Sequence, residues 1–213
     1  MWADLLKPWQ VCLELAWEAY CDDCYPIGAV VTDADGNVLT RGRNRIYEKT
    51  TRLGRLPGNE IAHAEVEALQ ALDYAAVDQH TCILYTTTEP CPMCMGMFYM
   101  SGLRTLHYAA RDPWAGSVNM LGTTWYLSRK QIKVIGPLDQ LVETILVAMF
   151  VEQDCSFHDG QLPEGAYYPR LAEVVSPGIA FGKRLWQSGQ LRQMRQVGIP
   201  ADEVFNRLIF LVQ

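Results

Sequence analysis

T-C-I-L-Y-T-T-T-E-P-C-P-M-C-M-G-M-F-Y-M-S-G-L-R-T-L-H-Y-A-A, residues 81–110, is the stretch from which the fold is read. Thr81 to Thr87 is dense in β-branched and aromatic residues and predicts a strand. Pro92 presets the φ of a first helical turn and Gly102 supplies a left-handed stop, so Pro92 to Ser101 predicts a helix. Thr105 to Ala109 predicts the next strand. Strand, helix and strand in such a short span form a β-α-β unit, which lays the helix on one face of a sheet.

Working outward, Trp9, Leu13, Ala16 and Tyr20 recur at helical spacing and predict an amphipathic helix over 9–20 that ends before Pro26. Ile27 to Thr32 and Val38 to Thr40 flank D-A-D-G-N, a hairpin signal. Ile61 to Ala76 is rich in Ala, Glu and Leu and predicts a helix. Downstream, Ile132 to Ile135 predicts a fifth strand, reached through a crossover segment with room for another helix, and Leu138 to Gln153 predicts a helix. The order α-β-β-α-β-α-β-(α)-β-α implies the α/β class: a three-layer α-β-α sandwich around a five-stranded mixed sheet.

After Asp154 the run S-F-H-D-G-Q-L-P-E-G has turn chemistry, and Leu171 to Gln213 carries helical stretches broken at Pro177 and at Gly198-Ile199-Pro200. The expected organisation is a core domain over 1–153 and a helical C-terminal extension over 154–213. Val204, Leu208 and Leu211 would pack that extension on the core or on a second subunit.

The 213 residues are 49% hydrophobic and 20% charged, which excludes an intrinsically disordered or collagen-like chain. The longest uncharged apolar run, Thr144 to Val151, is far short of the roughly 20 residues a membrane helix needs. The start shows no secretory pattern, so the expected location is cytoplasmic and no membrane partner is expected. Seven cysteines, an odd number, read as metal ligands plus buried thiols rather than a disulfide framework. Net charge is −6, yet residues 41–55 carry +5, which marks a candidate anion-facing loop.

Two segments carry the chemistry: His63-Ala64-Glu65 at the second predicted helix, and Pro90-Cys91-Pro92-Met93-Cys94 at the strand-to-helix junction. His63, Cys91 and Cys94 supply one nitrogen and two sulfur donors, a set that zinc favours in tetrahedral geometry, and three protein ligands leave a fourth position for water. Negative charge accumulating there should raise the pKa of Glu65 and let it carry a proton. Residues two apart on an ideal helix point about 200° apart, so His63 and Glu65 can serve one metal only if it sits beyond the helix end. The alternative is a zinc ribbon pairing Cys91 and Cys94 with Cys21 and Cys24, against which stand the 66 residues between Cys24 and Cys91. Cys12, Cys82 and Cys155 read as core residues, and His80, His107 and His158 as structural or surface ones.

H-x-E followed by P-C-x-x-C resembles the signature of the zinc-dependent cytidine/deoxycytidylate deaminase superfamily, over about residues 10–153. Within it, T-E-P-C-P-M-C-M-G and Ala110-Arg111-Asp112 look closest to the branch of tRNA adenosine deaminases and guanine deaminases. The resemblance implies Zn²⁺ held by His63, Cys91 and Cys94, with Glu65 as the proton shuttle. It implies substrate contacts from Asn44 and from backbone amides near Ala64 and Cys91. It further implies hydrolytic removal of the amino group of a nucleobase, nucleoside or nucleotide with release of ammonia, by at least a homodimer. A tRNA-specific adenosine deaminase with the basic loop on the phosphate backbone is the runner-up. A catalytically silent assembly partner is the non-enzyme alternative, against which the intact Glu65 stands.

Overall fold

The computed structural model describes residues 2–49 and 58–212. Five strands, β1 (Gly28–Thr32), β2 (Val38–Arg43), β3 (Ile83–Thr88), β4 (Thr105–Ala110) and β5 (Lys133–Ile135), form one sheet in the order β2-β1-β3-β4-β5. β1 is antiparallel to β2 and β3, whereas β3, β4 and β5 run parallel, so the sheet is mixed as the β-α-β reading requires.

Helices cover both faces. α1 (Lys7–Cys21) and α4 (Gln140–Phe157) lie on one side, where Trp9, Leu13 and Ile145 share a cluster with Val30, Tyr85 and Ala109 of the strands. α2 (Ala64–Gln70) and α3 (Pro92–Ser101) cover the other, where Ala68, Leu69, Met95 and Phe98 meet Ala29, Val31, Leu84 and Leu106. Strand alternation sends Val30 and Val31 into opposite clusters. Two glycines let helices approach the sheet closely. A Cβ on Gly28 would sit 2.2 Å from the Cys12 carbonyl oxygen of α1, and one on Gly42 would sit 2.1 Å from the Ala64 carbonyl oxygen of α2.

Three expectations are corrected. The helix expected over 61–76 is confined to α2, because His63 is extended (φ −81, ψ 154) and Asp73 turns the chain by accepting the Ala75 amide through its side chain. The β4-to-β5 crossover holds only a short 3-10 helix, Val118–Met120, among the described residues. The helix expected over 138–153 is α4, Gln140–Phe157, which runs on past Gln153 while Asp154 and Cys155 are still buried. α4 starts where Asp139 caps the Leu141 and Val142 amides.

The C-terminal extension is α5 (Tyr167–Ser188), α6 (Gln190–Gln196) and α7 (Ala201–Val212). Pro177 does not end α5; the break it imposes appears at Val175, whose φ of −139 and ψ of 52 bend a helix that continues to Ser188. The break at Gly198-Ile199-Pro200 separates α6 from α7. α5 packs along α4 through Val147, Val151, Tyr168 and Leu171. α7 joins the α1–α4 face through Val204, Phe205 and Leu208, and Trp17 of α1 donates its indole N–H to the Ile199 carbonyl at 2.9 Å. α1 is therefore buried almost all round, between the sheet and the extension. No helix among the described residues is long and apolar enough to cross a membrane.

Candidate metal and acid–base site

The two motifs meet at the ends of α2 and α3, and both helices begin in the same way. His63 is the residue preceding α2, and Cys91, extended at φ −68 and ψ 172, is the residue preceding α3. Neither side chain is bound to a helical direction, which removes the conflict between His63 and Glu65: the histidine projects beyond the helix end while Glu65 is in its first turn. Gly42, pressed against the Ala64 carbonyl, fixes how close α2 lies to the sheet.

His63 Nδ1 lies 3.6 Å from Cys91 Sγ and 3.5 Å from Cys94 Sγ. A tetrahedral zinc with ordinary Zn–N and Zn–S bonds puts nitrogen and sulfur about 3.5 Å apart, so the donor set fits this ion. Of the described residues, these three form the group with ligand atoms within 4.8 Å of one another. Cys21 and Cys24 do not join it, so the ribbon alternative is not assembled. Cys12, Cys82 and Cys155 are buried in the core. His80 and His158 spend Nδ1 on the Gly102 and Asp154 carbonyls, and His107 packs on Tyr85.

The Cys91 thiol is driven down to about 4, chiefly by its hydrogen bond with Cys94 and further by His63. A thiolate here also gains from the N-terminus of α3. His63 is raised, first by its bond with Cys91, and the Glu60 backbone adds in the same sense.

Glu65 is 3% exposed. Thr86 of β3 donates its hydroxyl to Glu65 Oε1 at 3.2 Å, and Oε2 lies 3.5 Å from Cys94 Sγ. Its pKa is raised, and the first cause is burial rather than the charge beside it; Cys91 adds in the same direction while His63 opposes. A carboxyl so placed holds a proton more readily than one in water, which suits a proton carrier.

Asn44 is 2% exposed at the end of β2, where its amide donates to the Ile27 carbonyl and its Oδ1 accepts the Ile46 amide. Its neighbours tie this strand end to α2, since Arg43 N–H and Arg45 Nε–H both donate to Glu67. Ala64 opens α2, where a backbone N–H has no acceptor within the helix. The basic loop is only in part an outward-facing patch: Arg43 pairs with Asp22 and Glu48, and Arg45 pairs with Glu48 and Glu67. Arg52 and Arg55 lie outside the described residues.

Sequence reasoning missed Thr86 and the loop after β4. Glu89 accepts the Asp112 and Val118 amides, and the Ser117 amide donates to the Pro90 carbonyl at 2.9 Å, which lays that loop beside Cys91. Strand alternation could have shown which face Thr86 uses; nothing local pairs it with Glu65.

A mixed sheet with one histidine and two cysteines gathered at two helix starts, beside a buried glutamate, defines an α/β protein with a three-donor set that could hold a metal ion. Residues 5–110 match the cytidine and deoxycytidylate deaminase zinc-binding region, and the chain belongs to this family. The cytosine deaminase of Candida albicans is 30% identical over 149 residues, 69% of this chain and 89% of that protein. The tRNA-specific adenosine deaminase of Bacillus subtilis is 32% identical over 135 residues, 60% of this chain and 76% of that protein. A solved structure of guanine deaminase from Nitrosomonas europaea is similar with a TM-score of 0.51 and 27% identity, covering 70% of this chain and 85% of that one. The chain spans 17% and 52% of the length of two further curated relatives.

Proposed function

We propose that this protein is a zinc-dependent hydrolytic deaminase that removes the exocyclic amino group of a nucleobase, nucleoside or nucleotide and releases ammonia. The observation that carries the reading is Glu65, a buried carboxyl in contact with a zinc-compatible donor set that it does not join. His63, Cys91 and Cys94 would hold the ion. Zinc, when bound, supplies the Lewis acidity that makes water nucleophilic at neutral pH.

The residues of the chain do the rest. Glu65 accepts a proton from the attacking water and gives it to the ring nitrogen beside the carbon under attack. It then takes the remaining proton from the hydroxyl now on that carbon and delivers it to the amino group as the C–N bond breaks, so one water is consumed and one ammonia leaves. Thr86 orients the carboxyl throughout. Asn44 and the amides at the starts of α2 and α3, at Ala64 and Cys91, would orient the substrate.

A second reading, a tRNA-specific adenosine deaminase, is favoured by the Bacillus subtilis relative, of which this chain covers 76%. The same family membership supports a cytoplasmic homodimer, which analytical ultracentrifugation and fractionation would check. Ammonia release from zinc-loaded protein, measured across bases, nucleosides, nucleotides and a tRNA anticodon stem-loop, tests both readings. Activity on none of them would refute the deaminase reading.

A further inference from the structure

Both residues that flank Asn44 converge on one carboxylate. The backbone N–H of Arg43 donates to Glu67 Oε2 at 2.9 Å, and the Nε–H of Arg45 donates to Oε1 and Oε2 at 2.9 and 3.0 Å. Glu67 lies two residues beyond Glu65 on α2, and its own amide donates to the His63 carbonyl at 3.1 Å. One residue therefore ties the strand end that carries Asn44 to the helix start that carries the histidine and the proton carrier.

Arg45 is the part of this junction that residue type decides. Its Nη1 donates to both oxygens of Glu48, at 3.1 and 2.8 Å, so the guanidinium spans two carboxylates. Its backbone N–H donates to the Ala62 carbonyl at 2.9 Å, one residue before His63. The side chains of Arg45, Glu48 and Glu67 are only 11%, 12% and 17% exposed, so salt screens their charges weakly. Without the guanidinium, Glu48 and Glu67 would lose the partner they share, and lysine, a point charge, does not reproduce its planar fork.

The body of β2 is held to α2 without Arg45: the Thr40 hydroxyl donates to the Ala68 carbonyl at 2.7 Å, and Gly42 abuts Ala64. β2 ends at Arg43. Past that end the chain is placed by the Asn44 amide on the Ile27 carbonyl, the Arg45 amide on Ala62, and the Ile46 amide on Asn44 Oδ1. With Oδ1 so engaged, the donors on Nδ2 are the end of Asn44 left to meet a substrate.

We infer that Arg45 is a positioning residue: by bridging Glu48 and Glu67 it sets Asn44 against His63 and Glu65, and it acts on turnover through Asn44. The effect on turnover rests on the deaminase reading; the junction itself rests on the bonds.

The test pairs amide hydrogen exchange with ammonia release from cytosine, adenine, guanine and their nucleosides, on zinc-loaded parent and variants. Arg45→Met should speed exchange of the Asn44, Arg45 and Ile46 amides roughly tenfold or more, with β3 amides and zinc content as in the parent. Its kcat/KM should fall roughly tenfold, chiefly through KM, as expected when a group that orients bound substrate is misplaced. Arg45→Lys, which keeps the charge without the fork, should lose less. In an Asn44→Ala background Arg45→Met should cost no more than about a further twofold, because residues that act through one another are not additive. Glu67→Gln keeps an oxygen for the Arg43 N–H and should repeat the exchange and KM changes, which decides the matter if Arg45→Met fails to fold. Unchanged exchange at 44–46, turnover indifferent to Arg45→Met or to Asn44→Ala, or an equal loss with and without Asn44 would overturn the inference. Faster exchange with no ammonia from the parent on any probe would refute deamination and leave the junction standing.

Discussion

The hydroxyl of Thr86 on β3 donates a 3.2 Å hydrogen bond to Oε1 of Glu65 on α2, joining the sheet to the residue assigned to move protons. Glu65→Gln should keep zinc and lose deamination by at least ~10²-fold, the usual cost of removing a general acid–base. Thr86→Val should also keep zinc and lower kcat/KM by roughly tenfold, since a hydrogen bond to a charged group is worth about 1.5 kcal/mol or more. Metal analysis beside steady-state kinetics checks both. Loss of zinc from Glu65→Gln would make Glu65 a ligand.

Metal content separates the two cysteine pairs. Purified protein should hold one zinc per chain, as one three-donor set implies. His63→Ala, Cys91→Ala and Cys94→Ala should each empty the site, whereas Cys21→Ala and Cys24→Ala should leave it filled. Elemental analysis of the five variants decides the matter, and a site emptied by either of the last two would restore the ribbon.

Gly42→Ala should be costly for its size. The new Cβ would meet the Ala64 carbonyl oxygen at 2.1 Å and the Ala68 nitrogen at 2.5 Å, both backbone atoms of α2 that no rotamer change can clear. Overpacking of this kind costs about 1–3 kcal/mol. Because α2 carries Glu65, activity should fall with stability, as urea unfolding and rate measurements on the same preparation would show.

Glu152 of α4 is fully buried and accepts bonds from Tyr20 at 2.6 Å and from Arg192 of α6 at 2.7 Å. Burial holds its pKa above the usual carboxylate range, so what it contributes to stability is present at low pH and fades as pH rises through the folded-state pKa. Arg192→Ala removes a cation that opposes this shift and should destabilise the fold by roughly 1–3 kcal/mol at pH 8. The loss should shrink toward pH 5, because a Glu152 that takes up its proton as pH falls no longer needs the cation. Denaturation midpoints at the two pH values would test the sign.

Arg52 and Arg55 distinguish a small substrate from a nucleic acid. Replacing both with Ala should leave turnover of an uncharged base or nucleoside within a few-fold, with little salt dependence. Turnover confined to a tRNA stem-loop, collapsing with salt and with loss of the two arginines, would instead establish the tRNA reading, because each neutralised phosphate releases counterions. Asn44→Ala should impair nucleosides more than free bases if its side chain meets the ribose.

What the sequence determined by itself was everything carried by short-range pattern. Residues 81–110 declared strand, helix and strand through β-branched density, Pro92 and Gly102, and His63, Cys91 and Cys94 were legible as a candidate donor set because the chemistry of zinc needs little beyond residue type and spacing. Tertiary structure decided where helices stop and which distant groups meet. Composition favours helix across 61–76, but an extended His63 and a turn at Asp73 confine it to seven residues. The bond between Thr86 and Glu65 spans 21 residues and that between Tyr20 and Glu152 spans 132. Such contacts follow from the order in which strands pair and from which helix covers which face. No local window encodes them, because their energy is realised only when the whole sheet has assembled and its ends have been enclosed by α4 and α5.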